Sequence, residues 1–588
     1  MLFLSSEEDN MKKEFSRRNF LQGAGAMLAL GGLGQLTGCN SAPASSAPAE
    51  KPTETANTQA AVKAPEQNQF PEWMGEPTIV KDSDISETIE TEVLVVGCGT
   101  AGWGAAATAA ENGAKVTVVE RADKTTKPKE DLGAIDSSLQ QAYYKEHPEF
   151  YIDKMKAMHE IGAYAGNFVD FDLIKLWADE SGEMIDWIAN TVLNKDEFEM
   201  QYEAGLGNTE YESIHRAWPT GHSPQPLNDD KENTWQKQWD NYGEKLGINF
   251  LFKTSLVSLV QDDNKRVIGI IARDNENKSY KKILASKGTV ITTGGYSANT
   301  KMMQRFQPEI LQLKVDSSNG SMCSGEGIIE AMRIGAQKDP IGTSLLFNRC
   351  CVKPDEVSGY ETQGKWFWFG EQPFLKVNLE GKRFVNESGP YDYILHAAYM
   401  QPQHMYVDIW DSDYPNQAKT MEEVGCCRLY PFDNGALNNI PMKAVEGMNQ
   451  KLVDEGYIQV ADTIEELAQK LNIPADTLKE TYDNYNKYAQ EGKDPEFGKE
   501  PHRLLPLNKP PYYGVRTAAW HLCTFDGLRI NTDMQVLDED NKPIEGLYAA
   551  GDAAGGFFSV NYPNLFTGLA AGKSMTFGRH VGKLLASK

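Results

Sequence analysis

The residues best placed for chemistry are glycines and acids spaced to hold a phosphorylated, diol-bearing ligand. Gly97-Cys98-Gly99-Thr100-Ala101-Gly102 has G-x-G-x-x-G spacing. In that spacing the first glycine permits a tight turn, the second lets the backbone approach a pyrophosphate, and the third lets a helix pack closely on a strand. The N–H groups at the start of that helix would meet the anion. Glu120 follows about 20 residues on, where a carboxylate accepts hydrogen bonds from a ribose hydroxyl. At the other end of the chain, GLYAAGDAAGG (546–556) places Asp552 just after an apolar run. An acid there can meet the ribityl or pyrophosphate part of an extended flavin, so the two segments read as halves of one FAD site.

These residues need a strand, a turn, a helix and a second strand to position them. Val93 to Val96 is apolar and β-branched, Ala101 to Ala110 is rich in small residues suited to a tightly packed helix, and Lys115 to Val119 is a second strand ending at Glu120. Near the C-terminus a turn at Asp540-Asn541 precedes the buried strand that ends in Ala549-Ala550-Gly551-Asp552. Between the two ends, 136–240 shows helical spacing, as in Phe171 to Trp177, and 247–297 returns to strands. Residues 345–512 read as a separate cap with helices at Ile464 to Leu471 and, opened by Pro474, at Ala475 to Ala489. The expected fold class is α/β: a Rossmann-like FAD-binding domain built from both ends of the chain, 89–344 and 513–588, with an inserted α+β capping domain at 345–512.

The chain has 588 residues and a formal charge of −25, enough length for two full cores and a balance that repels nucleic acid. Eight cysteines include no CxxC, CxxCH or ferredoxin-like run, which leaves neither covalent haem nor an iron–sulfur cluster, and no metal site is indicated. Cys350-Cys351 and Cys426-Cys427 are adjacent pairs, open to strained disulfides but read as plain buried thiols.

The N-terminus carries an address. Ser16-Arg17-Arg18-Asn19-Phe20-Leu21 resembles a twin-arginine export motif, and the stretch Leu21 to Leu36 is too short and mild to span a membrane. Leu36-Thr37-Gly38-Cys39 resembles a lipobox whose cysteine would be lipidated; a simple cleaved signal is the alternative. This makes 1–39 a signal and 40–88 a flexible linker, with Met11 as an alternative start, and places the protein on the extracytoplasmic face of the cell membrane, anchored by lipid at Cys39.

Five segments in order resemble the fumarate reductase and succinate dehydrogenase flavoprotein superfamily: the two glycine segments, KGTVITTGGYSANT (287–300), SGEG (324–327) and EGKRFVNES (380–388). The resemblance implies non-covalent FAD held by Gly97, Gly99, Thr100, Ala101, Gly102, Glu120, Arg121, Gly133, Ala134, Thr293, Gly294, Gly551, Asp552, Gly568 and Leu569, under a cap that closes over substrate. The departures carry the functional reading. Where the family has its proton-donating arginine, this chain has Tyr391; the acid and arginine that feed it are replaced near Phe367 and Gly370. The carboxylate-gripping HGxNRLGG and HHTMGG segments appear as Phe558 to Pro563 and Leu522 to Gly527. NESGPYD, Tyr562-Pro563 and Met575-Thr576-Phe577-Gly578 resemble the 3-ketosteroid dehydrogenase branch, with different spacing between them.

A dicarboxylate needs several cationic donors, so losing three such contacts argues against fumarate. A tyrosine with aromatic walls suits a planar or ring-containing acceptor. The expectation is reduction of a polarised C=C bond, with Tyr391 as proton donor and Tyr562 polarising the carbonyl or sharing the proton. A phenol, ordinarily of pKa about 10, serves more readily as an acid than as a base at neutral pH. Electrons would come from a membrane quinol-linked or cytochrome donor in anaerobic respiration. Arg349, His215, Arg216 and His222 are further substrate-contact candidates; if one reaches the pocket, an aromatic monocarboxylate such as a cinnamate-like acid stays open. A 3-ketosteroid-type dehydrogenase and a ligand-binding lipoprotein remain the alternatives.

Overall fold

The computed structural model describes residues 70–203, 217–228, 230–317, 323–421 and 441–588. The apolar run at Val93 to Val96 is the end of a longer strand, β1 (Ile85–Val96); α1 (Thr100–Glu111) and β2 (Val116–Val119) follow it as their sequences predict. β1 pairs in parallel with β2 and with β3 (Tyr280–Ile291). Four residues of each are buried on both faces where they meet, the pattern of an interior parallel sheet.

A second sheet follows. Its strand β4 (Ser344–Val352) pairs antiparallel with β5 (Tyr512–Thr524), which also pairs with Tyr406–Asp411. Between these strands, α2 (Tyr391–Tyr399) begins directly after Pro390. The helices Ile464–Lys470 and Ala475–Glu491 pack through Leu467, Leu471 and Leu478 against Leu375, Val377, Val407 and Ile409. The boundary read at 512/513 falls at the start of β5, a strand central to this sheet rather than to the parallel one. Strand Lys314–Ser317, upstream of the boundary read at 344/345, likewise pairs with β5.

The chain then returns. Strand β6 (Pro543–Ala549) pairs in parallel with β3, so β3 stands between the strands that carry the two glycine segments. The last helix, α3 (Leu569–Ser587), lies along α1. The helices approach so closely that a Cβ on Gly578 would stand 2.2 Å from the Ala101 carbonyl oxygen. The glycine of Met575-Thr576-Phe577-Gly578 is therefore required by helix packing.

Candidate active site

Parallel register brings Val96, Val119, Ile291 and Ala549 to one edge of the sheet, and the chain leaves all four strands there. Hydrogen bonds align these exits: Gly97 N–H donates to Val119 O (2.8 Å), Thr292 N–H to Val96 O (2.9 Å) and Ala550 N–H to Ile291 O (3.1 Å). Ligands of open α/β sheets bind at such a carboxyl edge. A cleft of about 320 Å³ opens at it, lined by the predicted residues Gly97, Gly99, Thr100, Ala101, Glu120, Arg121, Thr293, Gly294, Gly551 and Asp552.

The glycines divide by role. A Cβ on Gly102 would lie 2.1 Å from Gly97 O, so this residue seats the helix on the turn and does not line the cleft. On Gly99 a Cβ would meet no protein atom within 4 Å: the backbone there faces open cleft, and no side chain caps α1. This cradle fits a diphosphate. Glu120 accepts from the N–H of Cys98 (2.8 Å) and of Ala122 (2.9 Å), which fixes its carboxylate while leaving acceptor capacity for a diol. Arg121 donates to Ser324 Oγ (2.9 Å) and pairs with Glu326 (3.2 Å). Burial pushes the Asp552 carboxyl above the usual carboxylate range, against the pull of Lys573 and Lys129.

Gly133, Ala134, Gly568 and Leu569 stand away from the cleft wall. Gly133 N–H donates to Gly568 O (2.8 Å), which fastens the loop after Glu120 to the start of α3, and Ala134 N–H donates to Thr220 O (2.8 Å). The sequence reading missed Lys129, which lines both this cleft and a second pocket beside it.

That second pocket, about 260 Å³, is lined by Lys129, Leu345, Phe347, Tyr391, Tyr562 and Gly568, among others. The structure thus brings the two predicted tyrosines together from opposite parts of the chain. Tyr391 is the first residue of α2, 3% exposed, its ring edge-on to Phe347 at 5.1 Å. The preceding loop is held by Glu387, which takes a fork of two bonds from Arg383 (2.8 and 2.9 Å); Arg383 in turn grips Asp494. Tyr562 Oη accepts from Ala570 N–H (3.1 Å) in the first turn of α3, and its own N–H donates to Asp392 Oδ2 (2.6 Å). Its ring stacks on Phe525 at 5.4 Å.

Other candidates are committed elsewhere. Arg349 forms a fork with Glu371 (2.5 and 2.6 Å) and stacks on Trp368 (4.3 Å) and Phe347 (4.9 Å), behind the pocket wall. His222 is fully buried, bonded to Ser137 Oγ (2.7 Å) and Thr220 O (3.0 Å), and burial pulls its imidazole down to about 4. It lines neither pocket. His215 and Arg216, like Cys426-Cys427, lie outside the described residues. Cys350 and Cys351 are buried thiols, not joined in a disulfide. Phe367 stacks on Trp410 in an apolar core, and a Cβ on Gly370 would stand 1.6 Å from Asn348 O, so the first position is a core ring and the second has no room for a side chain. In the Leu522 to Gly527 segment, Asp526 is tied to Lys338, Tyr296 Oη (2.6 Å) and Gln307 (2.9 Å).

Comparison with known proteins agrees with this architecture. The FAD binding domain family matches residues 92–564. The chain is 27% identical to the vinyl phenol reductase of Lactiplantibacillus plantarum over 84% of this chain and 95% of that one. It is 28% identical to a probable fumarate reductase of Shewanella frigidimarina over 84% and 74%. Among solved structures, the 3-ketosteroid delta1-dehydrogenase of Sterolibacterium denitrificans superposes with TM-score 0.64 at 22% identity, covering 85% of this chain and 99% of that one. The chain belongs to the FAD binding domain family, in the superfamily of fumarate reductase flavoproteins, and is a FAD-dependent oxidoreductase acting on carbon–carbon bonds.

Proposed function

We propose that this protein reduces an activated C=C bond in a planar or ring-containing acceptor that is not a dicarboxylate. The observation that carries the reading is the meeting of Tyr391 and Tyr562 in one pocket walled by Phe347 and Leu345, while Arg349 is spent on Glu371. Among the described residues that line this pocket, a dianionic substrate would face one lysine, Lys129, against Glu130 and Asp131. The likeness to a vinyl phenol reductase along nearly that protein's whole length supports the same substrate class.

When bound, FAD supplies the hydride. The chain's own part is to hold the flat acceptor against Phe347, to exclude water with the buried tyrosines, and to deliver a proton from Tyr391 Oη to the carbon next to the one that takes the hydride. Tyr562, whose Oη accepts from Ala570 N–H, is the phenol that would donate to a substrate oxygen. Electrons come from an external donor, a membrane quinol-linked or cytochrome partner in anaerobic respiration. Export and lipid anchoring at Cys39 rest on the twin-arginine and lipobox-like segments; Cys39→Ala should release the protein from the membrane fraction, and retention there would count against the anchor.

A dehydrogenase running in the opposite direction is the second reading, favoured by the likeness of fold to a ketosteroid dehydrogenase. An anaerobic screen separates the two. Enzyme with reduced viologen is offered 4-vinylphenol, cinnamate, an enone steroid and fumarate, and the dye's reoxidation is followed; saturated substrates with an oxidised dye form the opposite arm. Reoxidation by ring-conjugated alkenes supports the proposal. Turnover only with saturated substrate and oxidised dye overturns it.

A further inference from the structure

Lys573 is a buried cation held by backbone carbonyls. It lies on α3, 1% exposed, between the rings of Phe558 and Phe577 at 5.7 and 5.6 Å. Its Nζ donates to Gly551 O (2.7 Å) and Ala554 O (3.3 Å). Among the described residues, no carboxylate oxygen approaches it within 4.0 Å. Three other buried lysines differ: Lys338 pairs with Asp526, Lys376 with Asp408, and Lys499 has Glu387 at 3.6 Å. An ammonium taken out of water with only carbonyls for company is costly unless an anion offsets it. Burial accordingly pulls its ammonium down to about 8, with the nearby charge of Asp552 opposing the shift.

The two carbonyls belong to the turn that carries Asp552, and Gly551, Asp552 and Ser574 all line the cleft. The ammonium therefore stands one carbonyl behind the cleft wall, in surroundings where a charge is felt at longer range than in water. Lys129 lines the cleft as well, so Asp552 feels the charge of both lysines.

We propose that Lys573 raises the reduction potential of the bound flavin by stabilising the negative charge that the flavin gains on reduction. The inference rests on the flavin reading of the cleft. Two electrons and one proton from the donor turn the neutral oxidised ring into a singly anionic reduced one; Lys573 keeps its own proton and transfers nothing.

The test is potentiometric. Flavin-loaded wild type, Lys573→Met, Lys573→Gln and Lys573→Arg are titrated anaerobically against reference dyes, and FAD binding by each apoprotein is followed by fluorescence. Gln keeps donors for the two carbonyls without the charge; Arg keeps the charge. Met and Gln should disfavour reduction by about tenfold or more, about 30 mV for a two-electron couple, with Arg close to wild type. If Met does not fold, Gln against Arg decides. Wild-type potentials in the Gln protein, or an Arg protein shifted as far as Gln, overturn the proposal, as does a folded Gln protein that no longer binds flavin. A wild type that takes up no flavin refutes the cleft reading itself.

Discussion

Gly99 and Gly102 lie three residues apart in one motif, yet alanine at each should fail in a different way. Gly99 has extended backbone (φ −87°, ψ −164°) open to any residue, and an added Cβ meets nothing within 4 Å. Alanine there stabilises by about 0.4–1 kcal/mol through the unfolded chain. It also costs a similar amount as a poorer N-cap, so apoprotein stability should change by less than about 1 kcal/mol. The methyl group stands where a diphosphate must approach the N–H groups of α1, however. Losing one hydrogen bond to a charged group, about 1.5–3 kcal/mol, weakens FAD binding about 10- to 150-fold. At Gly102 the Cβ meets Gly97 O at 2.1 Å, and overpacking should cost about 1–3 kcal/mol or more before any ligand is added. Thermal scans of the apoproteins and fluorescence titration with FAD read both effects. A Gly99→Ala protein that binds FAD as tightly as wild type, or melts as low as Gly102→Ala, would refute the reasoning.

Glu371→Gln should destabilise the fold by about 3–5 kcal/mol, because it strands the Arg349 guanidinium among rings; denaturant melts check this, and adding Arg349→Met should recover much of the loss. Stability should also fall with acid. His222 and His521 are buried and pulled down to about 4 and about 3, so below pH 6.5 the unfolded chain binds protons that the native one refuses. Stability is then lost between pH 6.5 and about 3, by roughly 5 kcal/mol for the pair at pH 4.5; a melting temperature flat between pH 6.5 and 4.5 would contradict it. Tyr562→Phe should leave Ala570 N–H without its phenol acceptor, cost about 1 kcal/mol in stability and slow turnover, measured by melts and the dye-coupled assay.

The flavin half of the site was legible because its signals are local. The run to Val96, the alanines after Gly102 and the acid at Glu120 each lie within one supersecondary unit, and Asp552 closes a strand of the same kind. The second sheet was harder to read. Residues 512–524 carry no local signal of which sheet they join, and the boundary read at 512/513 stands before a strand of the second sheet. Pairs distant in sequence were also hidden. Arg349 finds Glu371 22 residues away beyond an aromatic run, and the pairing turns a candidate substrate grip into a wall. A lone lysine in a C-terminal helix normally faces water, so Lys573 gave no sign of its burial. Tyr391 and Tyr562 were legible only against family patterns, as departures from one branch and matches to another; that they share a pocket is a property of the fold.

The most direct test of the central claim is a single turnover. Enzyme whose flavin has been reduced anaerobically is mixed with 4-vinylphenol or with fumarate in a stopped-flow spectrometer, for wild type and for Tyr391→Phe. The account predicts rapid return of the oxidised flavin spectrum with the vinylphenol, no comparable return with fumarate, and a rate about 10²- to 10⁴-fold lower in Tyr391→Phe with its flavin still bound. Fast reoxidation by fumarate, or a Tyr391→Phe protein as quick as wild type, would contradict it.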